Sequence, residues 1–127
     1  MRLATAAVLA ATTIAAGTAR ADVTMENFML RTTADLVALC SVSRSDPNAM
    51  AAIHFCEGYY LGLDHFAEAI GRPFRNTLYC PPENLQLTRD QVTGMLVTWH
   101  RQNPQFGGEA PLNGIVRWAA ATWPCKK

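Results

Sequence analysis

Cys40, Cys56, Cys80 and Cys125 carry the most definite chemistry in this 127-residue chain. They are separated by 16, 24 and 45 positions. That spacing contains no C-x-x-C redox pair and none of the close doublets that a structural zinc site uses. An even number of cysteines in a short exported domain reads as a disulfide framework, for which three pairings exist. The next candidates are His54, Glu57, Asp64 and His65, all within one helical stretch. His54 and Glu57 are i, i+3 neighbours that could share a metal, with His65 two turns beyond Glu57. The plainer reading of the same residues is a polar flank on a largely buried helix. His100 follows Trp99 near a helix end, where a cation is favoured by the helix dipole. No G-x-S-x-G, H-E-x-x-H or phosphate-cradling glycine loop is present. With every thiol committed to a disulfide, a cysteine nucleophile is also excluded. The expectation is a protein that is not an enzyme and holds neither cofactor nor metal.

Export is expected from the first 21 residues. Arg2 precedes an uncharged, Ala-rich run from Leu3 to Gly17, and Ala19-Arg20-Ala21 has the small-x-small pattern of a signal-peptidase site. The run is too short and too weakly apolar to span a bilayer. Residues 22–127 then form a single domain, large enough for one core. Without Arg2 and Arg20 its balance is nine cations against ten anions. So even a distribution offers no basic stripe for nucleic acid, and the Lys126-Lys127 pair is too small for a membrane anchor.

The elements that must position these residues are helices. Thr32 to Asp35 resembles a capping box opening a short helix over about 33–42. Asp46-Pro47 reads as an N-cap followed by proline in the first turn of a second helix reaching about Ile70, with Gly71 and Pro73 beyond it. Its apolar residues cover most of its circumference, which predicts a central helix touched from several sides. Gly58 and Gly62, four apart on one face, suggest that another backbone approaches closely there. Thr88 to Gln91 is a second capping box, and Val92, Met95, Leu96 and Trp99 make an amphipathic stripe. Asn103-Pro104 closes this third helix. Pro111 starts a fourth, whose expected buried line is Leu112, Ile115, Val116, Ala119 and Trp123. No stretch alternates as a strand would, so the fold class is all-α, a small bundle of four to five helices.

This layout suggests a pairing of the cysteines. Helices three and four, joined by a short connection, should be antiparallel, which brings Cys80 and Cys125 to the same end and leaves Cys40 for Cys56. Trp118 lies off the expected line of the last helix. It fits either the core or a protein interface, where tryptophan is enriched. Phe106, in a glycine-flanked loop, is a second candidate anchor.

Several segments taken together resemble a known family. They are Asp35-Leu36-Val37-Ala38-Leu39-Cys40, then Ala52-Ile53-His54-Phe55-Cys56-Glu57-Gly58-Tyr59, Gly62, Cys80-Pro81, the helix end from His100 to Pro104, and Trp123-Pro124-Cys125. The pattern, over about residues 32–125, resembles the Rap/Tai family of periplasmic immunity proteins, which protect Gram-negative bacteria against cell-wall amidase effectors of type VI secretion. The resemblance implies a helical bundle without catalysis of its own, often a homodimer, that occludes the groove of a peptidoglycan amidase. The family's cysteine, glycine and aromatic positions are structural and leave the partner contacts unmarked. The loop Gln105, Phe106, Gly107, Gly108 and Glu109, read as a flexible projection, is the expected partner-binding segment, together with Trp118. The alternative function is a small periplasmic stress chaperone or another non-catalytic binding protein.

Overall fold

A computed structural model describes residues 22–126; the expected signal segment lies outside the described residues. The elements in chain order are α1 (Met25–Phe28), α2 (Thr33–Cys40), α3 (Ala49–Ala69), α4 (Arg72–Arg75), α5 (Arg89–Gln102), a 3-10 turn (Pro104–Phe106) and α6 (Pro111–Thr122). The expected all-α fold is present, and no strand occurs among the described residues. α1 and α4 are single turns added to the four helices legible from periodicity.

The shortest of those four helices is the central one. α2 packs against α1, α3, α5 and α6. Its N-terminus is the expected capping box: the Thr32 hydroxyl accepts from the Asp35 N–H, and the Asp35 carboxylate accepts from the Thr32 N–H at 2.9 Å. An eight-residue helix does not hold alone in water, so packing must stabilise it. Leu36 and Leu39 are fully buried. Thr33, also fully buried, donates its N–H to the Glu109 carbonyl at 2.7 Å, and Ala34 donates to the Gly107 carbonyl at 2.9 Å. Two amides that a helix leaves unpaired in its first turn thus find main-chain acceptors about 75 residues along the chain.

α3 departs from expectation in three ways. It begins at Ala49 rather than beside Pro47, although Asp46 still caps the turn that leads into it: one carboxylate oxygen accepts from the Asn48 N–H at 2.7 Å, while the other accepts from the Val23 N–H at 2.8 Å. It is peripheral rather than central, since Cys56, Tyr60 and Ala67 face the core while Met50, Phe55 and Phe66 face outward. Nor does another backbone approach Gly58 or Gly62 among the described residues; a Cβ at either would meet none of their atoms within 4 Å. The helix ends as expected, at Ile70, with Gly71 at φ +94°, a value that favours glycine, and Pro73 in the turn that follows.

The two disulfides have the pairing that the helical layout suggested. Cys40–Cys56 ties α2 to α3, and Cys80–Cys125 joins the segment before α5 to the one after α6, with Cα separations of 5.2 and 4.9 Å. A main-chain bond from the Cys80 N–H to the Trp123 carbonyl, at 2.8 Å, runs beside the second. In the loop-closure picture such crosslinks stabilise by about 3 and 4 kcal/mol respectively.

α6 crosses α2 at Gly114, where any Cβ would overlap the side chain of Thr33. Thr33 cannot turn aside, because its buried hydroxyl also bonds the Glu109 and Ala110 carbonyls at 3.1 and 3.2 Å. Gly114→Ala is therefore expected to destabilise the protein by about 1–3 kcal/mol, as overpacking does. Gly94→Ala, on an open face of α5, should instead stabilise by about 1 kcal/mol, the usual helix-interior difference. Urea unfolding midpoints check both; equal midpoints for the two variants would refute the close α2–α6 crossing.

Candidate functional site

The segment after α5 is held from both ends. The Asn103 side chain donates to the Trp99 carbonyl at 2.9 Å, ending the helix. Pro104 then starts the 3-10 turn, in which Phe106 N–H bonds the Asn103 carbonyl and Gly107 N–H bonds the Pro104 carbonyl, at 3.2 and 3.0 Å. Gly107 is buried, and a Cβ there would come within 3.1 Å of both His100 Nε2 and the Pro104 oxygen, so the chain passes where only glycine fits without displacement. Its carbonyl meets α2, as described above.

This path puts the Phe106 ring flat on the indole of Trp99, with centroids 5.7 Å apart and planes 5° apart. From α6, the Arg117 guanidinium lies over the Phe106 ring, 4.6 Å from its centroid. Arg117 Nε in turn donates to the Glu109 carboxylate at 2.7 Å. That hydrogen bond and the Glu109 charge raise the already high pKa of the guanidinium, so Arg117 remains charged. Trp99, Phe106, Arg117 and Glu109 thus form a platform assembled from α5, the turn and α6. Gln105 and Gly108 lie exposed at its edge.

Two expectations for this region need correction. The 105–109 segment is not a flexible projection, because ring stacking, an ion pair and main-chain bonds to α2 all restrain it. Trp118 is not at the surface. It is 4% exposed and packs against Trp123, with centroids 5.4 Å apart. The buried face of α6 is Pro111, Gly114, Ile115, Trp118 and Ala119, while Leu112, expected inside, is 45% exposed. The close crossing at Gly114 sets this register, rotating the inward face by one position from the line read in sequence. Arg117, which the sequence reading passed over, gains its role from the same rotation. Its only local signal was that it is the one charged residue of α6.

The residues singled out for chemistry are dispersed. Glu57 is buried on α3 and faces His54 Nδ1 at 3.7 Å and Arg89 Nη1 of α5 at 3.5 Å. Next to it, the Tyr60 hydroxyl donates to the Arg89 carbonyl at 3.3 Å. Glu57 therefore sits in an ion-pair link between two helices, and His65 remains exposed. No group of three or more His, Cys, Asp or Glu side chains could hold a metal among the described residues. His100 is not the favoured helix-end cation that its position suggested. Burial lowers its pKa, and its Nε2 is enclosed without a hydrogen-bond partner among the described residues. What the platform offers is recognition. Aromatic and arginine side chains, already fixed in place, lose little freedom on binding and dominate many protein interfaces.

Comparison with protein families matches residues 32–125, from the Thr32 cap of α2 to Cys125, with the Rap1a immunity proteins. Comparison with curated proteins and with solved structures returns no match.

The state of His100 has a pH consequence. Its folded pKa lies below the ordinary 6.5, so on acidification the unfolded chain takes up this proton first. The stability tied to neutral His100 is complete above about pH 6.5 and is lost as pH falls through that value toward the folded pKa. His100→Gln should reduce the fall in unfolding midpoint between pH 7.5 and 5.5; an unchanged fall would show that His100 is not its source.

Proposed function

We propose that this chain, which belongs to the Rap1a immunity proteins, acts in the periplasm, where it binds a peptidoglycan amidase effector of type VI secretion and occludes its active-site groove. The family match over most of the chain carries this reading. Two disulfides and no free cysteine among the described residues fit an oxidising compartment. In this reading the protein works by occupying the enzyme, without a reaction of its own. The partner surface is the platform of Phe106, Arg117 and Glu109, with Gln105 and Gly108 at its rim and Gly107 beneath it. The half-buried aromatic ring supplies apolar contact, and the Arg117–Glu109 pair supplies oriented charge.

The test is to titrate the purified protein into purified peptidoglycan amidase effectors of type VI secretion, starting with any encoded beside its gene, and to follow peptidoglycan cleavage. Stoichiometric inhibition is expected. Phe106→Ala should weaken binding by about 2 kcal/mol, or roughly thirtyfold, as loss of an interface anchor does. Full activity of every such amidase in the presence of excess protein would remove the reading.

The same reading includes a homodimer, for which the outward face of α3 is well suited. Phe55, Phe66 and Ile70 are exposed there, with Phe66 at 58%, and the open space over Gly58 and Gly62 lies beside them. A ridge of large residues next to a furrow of small ones can mate with its own copy about a two-fold axis. Phe66→Glu is then expected to convert a dimer to a monomer in sedimentation experiments. A wild-type protein that sediments as a monomer at about 100 μM, a concentration at which even a weak homodimer is populated, would rule this out.

A further inference from the structure

A cleft of about 340 Å³ opens between the C-terminal half of α3, the segment leading into α5, and helices α5 and α6. It is distinct from the stacked platform and has no part in the proposed function. Its volume is at the lower end of the range for small-molecule sites. The buried side chains of Tyr60, Tyr79 and Trp118 form much of its wall. Such a wall of aromatic surface suits an apolar group of comparable size.

The charged residues of the lining divide into two sets. Arg89 and Glu83 are already engaged, the first with Glu57 at 3.5 Å and the second with Arg72 at 2.8 Å. Asp64, Glu68 and Arg75 line the same cleft and have no ion-pair partner among the described residues. They converge on the Tyr79 phenol, whose pKa is raised first by burial and then by Asp64, with Arg75 opposing and Glu68 adding to the rise. Arg75 Nε is enclosed and donates to no acceptor among the described residues, which leaves the terminal amino groups of the guanidinium as the part a ligand can reach.

Among the described residues no ion-pair partner occupies the Arg75 guanidinium at the cleft wall, and a carboxylate is the acceptor that best matches it. A simple carboxylic acid would nevertheless enter against the charges of Asp64 and Glu68. A molecule bearing an ammonium next to its carboxylate meets both demands. The geometry points to this cleft as a binding site for a free α-amino acid with a large apolar side chain. Its carboxylate pairs with Arg75, its ammonium faces Asp64 and Glu68, and its side chain lies against Tyr60 and Trp118.

Calorimetric titration of the purified protein with L-phenylalanine tests this, alongside 3-phenylpropanoate, which lacks the ammonium, and 2-phenylethylamine, which lacks the carboxylate. The expected result is saturable one-to-one binding of phenylalanine, with each analogue at least tenfold weaker. Arg75→Gln should lower phenylalanine affinity at least tenfold. Asp64→Asn combined with Glu68→Gln, on exposed positions, should bring phenylalanine and 3-phenylpropanoate within about twofold of each other. Indole N–H resonances in a two-dimensional NMR spectrum should shift with the same midpoint, because Trp118 lines the cleft. Should Arg75→Gln not fold, the analogue series on the unmodified protein decides alone. Absence of heat and of resonance shifts up to about 10 mM phenylalanine, beyond the millimolar end of ordinary ligand affinity, overturns the proposal. Equal affinity for phenylalanine and either analogue does so too.

Discussion

The first turn of α2 is hydrogen-bonded to the main chain of residues 107–110, and the remaining architecture is arranged around that contact. Thr33 and Ala34 give their N–H groups to Glu109 and Gly107, and the Thr33 hydroxyl bonds the same stretch. These donors are orphaned by helix geometry and partly buried, so leaving them unpaired would be expensive. The contact also forces α6 to cross α2 where residue 114 has no side chain. An eight-residue helix with so few bonds of its own becomes the hub of the bundle because the chain from its far end closes over it.

That closure shapes the surface as well as the core. The carbonyls of Gly107 and Glu109 reach α2 only if the segment folds tightly after Pro104, and the tight fold lays Phe106 on Trp99. The register it imposes on α6 turns Trp118 inward and leaves Arg117 over the Phe106 ring. A surface that looks like a loop in sequence is therefore as restrained as the helices it joins. For a protein of an immunity family, such preorganisation favours binding, because little conformational entropy remains to be lost.

α3 stands apart from this arrangement. It is the longest helix, yet on one side of its C-terminal half Phe66 and Ile70 lie open among the described residues. Cys56 anchors it to α2 and Glu57 links it to Arg89 of α5. Large exposed apolar patches on a folded chain commonly mark a contact with another molecule. The opposite flank of its C-terminal half borders the cleft lined by Asp64, Glu68 and Tyr79. One helix thus carries an apolar face and a charged cleft wall, separated by the turn of its own axis.

Much of this was determined by sequence alone. The capping boxes at Thr32–Asp35 and Thr88–Gln91, the stop at Gly71, the helical content and the Cys40–Cys56 and Cys80–Cys125 pairs all follow from local rules. Such rules act over a few residues, or depend on which helix ends lie close. Tertiary structure decided the rest. Asp46 reads as a local cap, and only the fold shows that its second carboxylate oxygen also ties down Val23, 23 residues earlier. His100 looks like a helix-end cation until burial makes its protonation unfavourable. Periodicity shows that α6 has an apolar side, but neighbouring lines of that side differ little in hydrophobicity. The choice between a line through Leu112 and one through Trp118 was made by Gly114 meeting Thr33, a contact between residues 81 positions apart. A short-range pattern specifies that a helix will bury a face; only the partner it packs against selects which one.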